Sequence, residues 1–202
     1  MTVRAVYFDL GGVIVRTEFQ APRQHLAERF GVEYEDIVRI VFEGETSHQA
    51  SIGAITEDEH WAAIIRKLHI PESETQAVRD EFFAGDVTDR GLLDFMRGLR
   101  KTVKVGLISN AWSGLRPWIV SQKFEDAFDV MIISAEVGVT KPDARIYQVA
   151  LEQLDMAPAE TVLLDDFIQN VEGARAVGMQ AIHFTQPEQA LDELKQIMAN
   201  QR

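Results

Sequence analysis

The chain has 202 residues, 46% hydrophobic and 26% charged, with a formal net charge of -12 and a sequence pI of about 4.8. That acidity argues against a broad basic face for nucleic acid, and the absence of cysteine excludes disulfides, thiolate nucleophiles and zinc–sulfur sites. No apolar run reaches the roughly 18 residues of a membrane span, and MTVRAVYF shows no signal-peptide pattern. Neither nucleic acid nor a membrane is therefore an expected partner, and a cytoplasmic location is expected.

Five short runs read as strands: "VRAVYF" 3–8, "VKVGLIS" 103–109, "VMIIS" 130–134, "TVLLD" 161–165 and "QAIHF" 180–184. They are almost continuously apolar, as strands buried on both faces of a parallel sheet are. Helical stretches lie between the later ones. "GLRPWIVSQKF" 114–124 follows the second run. "DARIYQVALEQL" 143–154 sets Ile146, Val149, Ala150 and Leu154 on one face. "IQNVEGARAVG" 168–178 stops at Gly178, and "PEQALDELKQIM" 187–198 opens on Pro187. Alternating strand and helix predicts a doubly wound α/β fold with a mostly parallel sheet.

Residues 18–88 break the rhythm. They lack convincing strands and read as helices: "RQHLAERFG" 23–31, "TEDEHWAAIIRKL" 56–68 with a capping box from Thr56 to Glu59, and "SETQAVRDEFFAG" 73–85 with a similar box from Ser73 to Gln76. The expected division is an α/β core of residues 1–17 and 89–202 with a helical cap of residues 18–88 inserted after the first strand. Such an insertion is either an additional helical layer or a lid over the strand ends.

In open α/β sheets, ligands bind beyond the carboxyl ends of the strands. Asp9 ends the first run, Ser109 and Asn110 end the second, Asp165 and Asp166 end the fourth, and Lys141 lies in the loop after "VMIIS". Each has an ordinary explanation as a cap, a turn or a solvated charge. Together they place three carboxylates, a hydroxyl, an amide and a cation at one sheet edge. That set suits phosphoryl transfer: carboxylates for Mg²⁺, a carboxylate nucleophile, and donors for the phosphoryl oxygens.

"FDLGGVI", "LISN", "VGVTKPD" and "VLLDDFIQNVEGARAVGM", in that order, resemble the four motifs of the haloacid dehalogenase-like superfamily, and "GAITEDEHW" resembles its small helical caps. The likeness extends over essentially the whole chain and is nearest to the "FDLGGV" phosphatases, which include sugar-1-phosphate phosphatases. It implies a Rossmann-like core and a Mg²⁺-dependent phosphatase acting on a small phosphorylated molecule. It also implies Asp9 as nucleophile and metal ligand, the Gly11 carbonyl and Asp166 as further ligands, and Asp165 binding the metal directly or through water. Ser109 and the Asn110 backbone would hold the phosphoryl oxygens, Lys141 would bridge the phosphoryl group and Asp9, and Asn170 would orient the acidic loop.

The pattern departs at Gly11, where most phosphatases of this superfamily carry the aspartate that protonates the leaving group, help typically worth about 10²–10⁴-fold. Glu18, Glu45 and His48 are candidate substitutes, though each reads more simply as a solvated surface residue. A substrate with a good leaving group, such as a sugar 1-phosphate, needs less help. Trp112 is a candidate substrate wall or a packing residue, Trp118 reads as packing, and Arg16 and Arg116 are candidate auxiliary cations. Two other functions fit the nucleophile: a metal-free dehalogenase, disfavoured by the Asp165–Asp166 pair, and a phospholigand-binding protein without turnover, supported by Gly11.

Overall fold

A computed structural model describes residues 2–199; residue 1 and residues 200–202 of the expected core span lie outside the described residues. The strands are β1 (Ala5–Phe8), β2 (Val15–Thr17), β3 (Asp86–Thr88), β4 (Lys104–Ser109), β5 (Val130–Ile133), β6 (Thr161–Asp165) and β7 (Gln180–His183). The helices are α1 (Ala21–Phe30), α2 (Tyr34–Phe42), α3 (Glu45–Ser51), α4 (Glu57–Lys67), α5 (Thr75–Phe83), α6 (Arg90–Leu99), α7 (Leu115–Ser121), α8 (Ser134–Val137), α9 (Ala144–Leu154), α10 (Ile168–Ala176) and α11 (Pro187–Ala199).

Five strands form a parallel sheet in the order β5-β4-β1-β6-β7. β1 is central and wholly buried because both faces are covered. On one face Val6, Phe8, Leu107 and Leu164 pack with Leu93, Met96 and Leu194 of α6 and α11. On the other, Tyr7, Ile108 and Leu163 pack with Ile146, Ala150 and Val171 of α9 and α10. The alternation of side chains along each strand produces these two layers, and the sheet is the expected doubly wound one.

The segment 18–88 departs from expectation in two places. β3 lies within it and pairs antiparallel with β2, Val15 opposite Thr88 and Thr17 opposite Asp86, so the chain leaves and rejoins the sheet region through a two-stranded ribbon. Three residues are too few to show a strand period. The box expected at Ser73 does not form. A 3-10 turn occupies Glu72–Glu74, Thr75 donates its hydroxyl to the Glu72 carbonyl at 2.7 Å, and α5 starts there without a side-chain cap. At α4 the box from Thr56 to Glu59 is complete. Helices α1–α5 gather around an apolar cluster that includes Leu26, Ile37, Val41, Trp61, Ile64, Phe82 and, from the sheet side, Trp112.

Candidate active site

Parallel register builds the site. Phe8 lies beside Leu107 and Leu164, so the next residue, Asp9, falls beside Ile108 and Asp165. The Asp9 amide continues the ladder by donating to the Leu164 carbonyl at 2.9 Å. Asp9 and Asp165 occupy the same alternate positions as Tyr7 and Leu163, which places their side chains on the α9–α10 side. Beyond Asp9 the chain turns sharply: the amides of Val13, Ile14 and Val15 all donate to the Leu10 carbonyl.

Lys141 enters from the loop before α9, and its side chain is fully buried. Its ammonium lies 2.9 Å from Asp9 Oδ2 and 2.5 Å from Asp165 Oδ2, and donates to the Ile108 carbonyl at 2.8 Å. The Asn110 side chain fixes this loop by a reciprocal pair. It accepts from the Lys141 amide at 2.7 Å and donates to the Lys141 carbonyl at 3.0 Å. Asp165 Oδ1 accepts from Asn170 Nδ2 and from the Phe167 amide, each at 2.9 Å. Ser109, the last residue of β4, is buried beside them.

Asp9, Asp165 and Asp166 each bring a carboxylate oxygen within 4.8 Å of the others. One ammonium faces three carboxylates. Burial, then the neighbouring acids acting against Lys141, pushes the Asp9 carboxyl up to about 7. Burial and then Asp165 push Asp166 up to about 6. Burial opposes the Lys141 charge, but Asp9 and Asp165 hold its ammonium above the ordinary lysine value. Asp166 Oδ1 is buried without a hydrogen-bond partner. Such an oxygen beside two further carboxylates fits a hard divalent cation.

The other candidates are placed differently. Trp112 is 8% exposed and packs against Phe42, His60 and Trp61. Most of its ring holds the helical cluster to the sheet side. Trp118 packs edge-on against Phe124. Arg16 is held by Asp89 at 2.8 Å and Arg116 by Glu136 at 2.6 Å, so neither is a spare cation. Glu18 lies 3.6 Å from Arg16, and Glu45 and His48 are exposed on α3. His183 was not among the expected residues, yet its Nε2 lies 2.9 Å from the Asp166 carbonyl. The strand-end rule applied to "QAIHF" would have found it.

Comparison with known proteins gives the family and the fold. A family described as haloacid dehalogenase-like hydrolase matches residues 3–178. The sesquiterpene phosphatase astK of Aspergillus oryzae is 29% identical, the match covering 98% of this chain and 97% of that protein. The phosphorylated carbohydrates phosphatase of Thermotoga maritima is 29% identical over 90% of this chain and 84% of that one. A HAD family enzyme from Bacteroides thetaiotaomicron, solved with magnesium and inorganic phosphate, shares the fold with a TM-score of 0.76. It is 22% identical, over 89% of this chain and 93% of that one. Among the described residues, no helix is long and apolar enough to cross a membrane.

Proposed function

The chain belongs to the haloacid dehalogenase-like hydrolase family, and on that premise we propose that it is a Mg²⁺-dependent phosphatase of a small phosphomonoester, with Asp9 as nucleophile. The observation that carries this reading is the buried Asp9 carboxylate, 2.9 Å from Lys141 Nζ within a cluster of three acids. The names of relatives add support: two similar proteins are phosphatases, and a third is the D-ribitol-5-phosphate phosphatase of Bacteroides thetaiotaomicron.

Asp9, the Gly11 carbonyl, Asp166 and Asp165, directly or through water, would hold Mg²⁺, which supplies positive charge to the phosphoryl oxygens and offsets the repulsion among the acids. An Asp9 oxygen attacks phosphorus, the bond to the leaving oxygen breaks, and an aspartyl-phosphate forms. Lys141 steadies the Asp9 carboxylate and the phosphoryl charge. Ser109 and the Asn110 backbone donate to the phosphoryl oxygens. Water then displaces phosphate from Asp9. Asn110 also holds the Lys141 loop, and Asn170 holds Asp165. Helices α1–α5, residues 18–88, act as a cap over the strand ends. A sugar 1-phosphate, with its better leaving group and the carbohydrate phosphatase among the relatives behind it, is one of two alternative substrate classes, the other being an ester with an apolar body.

The test is phosphate release from a panel of sugar, nucleotide and aryl phosphates, with Mg²⁺ and with EDTA. Release that requires Mg²⁺ is expected. Halide release from a 2-haloacid without metal, and no phosphate release from the panel, would replace this reading with the dehalogenase one.

A further inference from the structure

We propose that the phosphorylated group is apolar and uncharged, received between Phe42 with Trp112 on one side of Asp9 and Phe167 on the other. The inference rests on the phosphatase reading and names the substrate class of that site.

The sheet order sets β4 and β6 on either side of β1. From the end of β4 the chain runs through Asn110 to Trp112, and Phe42 at the end of α2 stacks on that indole at 5.9 Å with 26° between planes. From the end of β6 the chain runs through Asp166 to Phe167, whose amide is tied to Asp165. β1, which leads into Asp9, lies between the two strands that these segments follow. Of the six large hydrophobic residues left exposed among the described residues, three lie on these two segments and the helix end stacked on them: Phe42 at 44%, Phe167 at 61% and Ile168 at 39%. Singly exposed apolar residues need no explanation. Rings carried on the segments that follow the two strands beside β1 do, because in-line attack from Asp9 expels the leaving oxygen on the far side, away from the sheet. That is where the body of the substrate lies.

Charge points the same way. The arginines of β2, α1, α5 and α7 are committed: Arg16 to Asp89, Arg23 to Asp86, Arg79 to Glu57 and Arg116 to Glu136, all at 2.6–2.8 Å. A nucleotide or bisphosphate would bring a second anion to a strongly acidic protein whose cations here are already paired.

The test compares phenyl phosphate, 1-naphthyl phosphate and glucose 1-phosphate with the Mg²⁺-loaded full chain. The two phenols are of similar acidity, so the added ring reports apolar contact. KM is expected to fall roughly tenfold from phenyl to naphthyl. Phe167→Ser, which removes a side chain that is 61% exposed and keeps the backbone tie to Asp165, should remove most of that gain. Inhibition by inorganic phosphate should stay within about twofold, because phosphate occupies only the charged part of the site. Phe42→Ser is the second variant, read alongside its melting curve. Equal KM values for the two aryl esters, or a gain kept in both variants, would overturn the inference. Release from glucose 1-phosphate alone would overturn it and leave the phosphatase reading standing. Release from none of the three would overturn the inference, and no release from the wider panel of sugar, nucleotide and aryl phosphates would remove the phosphatase reading as well.

Discussion

Gly12 and Asp166 occupy one another's space: a β-carbon on Gly12 would lie 2.0 Å from Asp166 Oδ2. Gly12 also has φ +74°, a left-handed conformation that side chains rarely adopt. The neighbouring Gly11 is different, with ordinary backbone and nothing within 4 Å of an added β-carbon. Of the two adjacent glycines, the second is the one the acidic cluster requires.

Gly12→Ala should therefore displace Asp166 and weaken Mg²⁺ binding by at least about tenfold, while Gly11→Ala leaves the melting temperature within a degree or two. Titration of Mg²⁺ against thermal stability checks both. Equal Mg²⁺ affinity in Gly12→Ala would show that the crowding does not matter.

Asp9→Asn should keep the fold and lower kcat by on the order of 10³-fold or more, since it removes a nucleophile at little steric cost. Circular dichroism and phosphate release from an aryl ester are the measurements. Turnover near the wild-type rate would remove Asp9 from its role.

The raised carboxyls give stability a pH dependence. Folded values of about 7 for Asp9 and about 6 for Asp166 lie above the ordinary value near 4. Without metal, these groups favour the folded state most below about pH 4, and that contribution is lost as pH rises through 6 and 7. In EDTA the melting temperature should accordingly fall from pH 5.5 to 8. Saturating Mg²⁺ should restore about 5–10 °C at pH 8 and much less at pH 5.5, where protons compete. Asp166→Asn should flatten the EDTA profile. Coincident melts with Mg²⁺ and EDTA at pH 8 would count against a metal site.

Open space at Gly11 makes Gly11→Asp an informative gain-of-function variant. Without an acid, the departing oxygen carries its charge alone, so the wild-type rate should decline steeply with leaving-group pKa. The added carboxyl should make the decline shallower, helping poor leaving groups by up to about 10²-fold. A flat wild-type series would mean that another residue supplies the proton.

The five parallel strands could be read from sequence because burial on both faces leaves no polar alternation to confuse them. The ribbon of β2 and β3 could not, since three half-exposed residues carry no period. The positions of Asp9, Ser109 and Asp165 followed from a rule about strand ends, and Lys141 was legible in the loop that follows β5. The grip of Asn110 on the Lys141 backbone did not, because a contact between residues 31 apart depends on the conformation of a loop. Trp112 was similarly ambiguous: a tryptophan beside a site suits a ligand or a core, and its packing against Phe42 and His60 depends on contacts distant in sequence.

Trp112 also limits how separable the two halves of this protein are. The cluster inside α1–α5 is completed by a side chain from beyond β4, outside the inserted segment. An excised insertion would lack that ring, and one grafted onto another sheet would need the tryptophan supplied by its new host. The helices and the strand-end loop thus share one apolar cluster. In this chain, replacing the insertion would leave Trp112 without the rings it packs against.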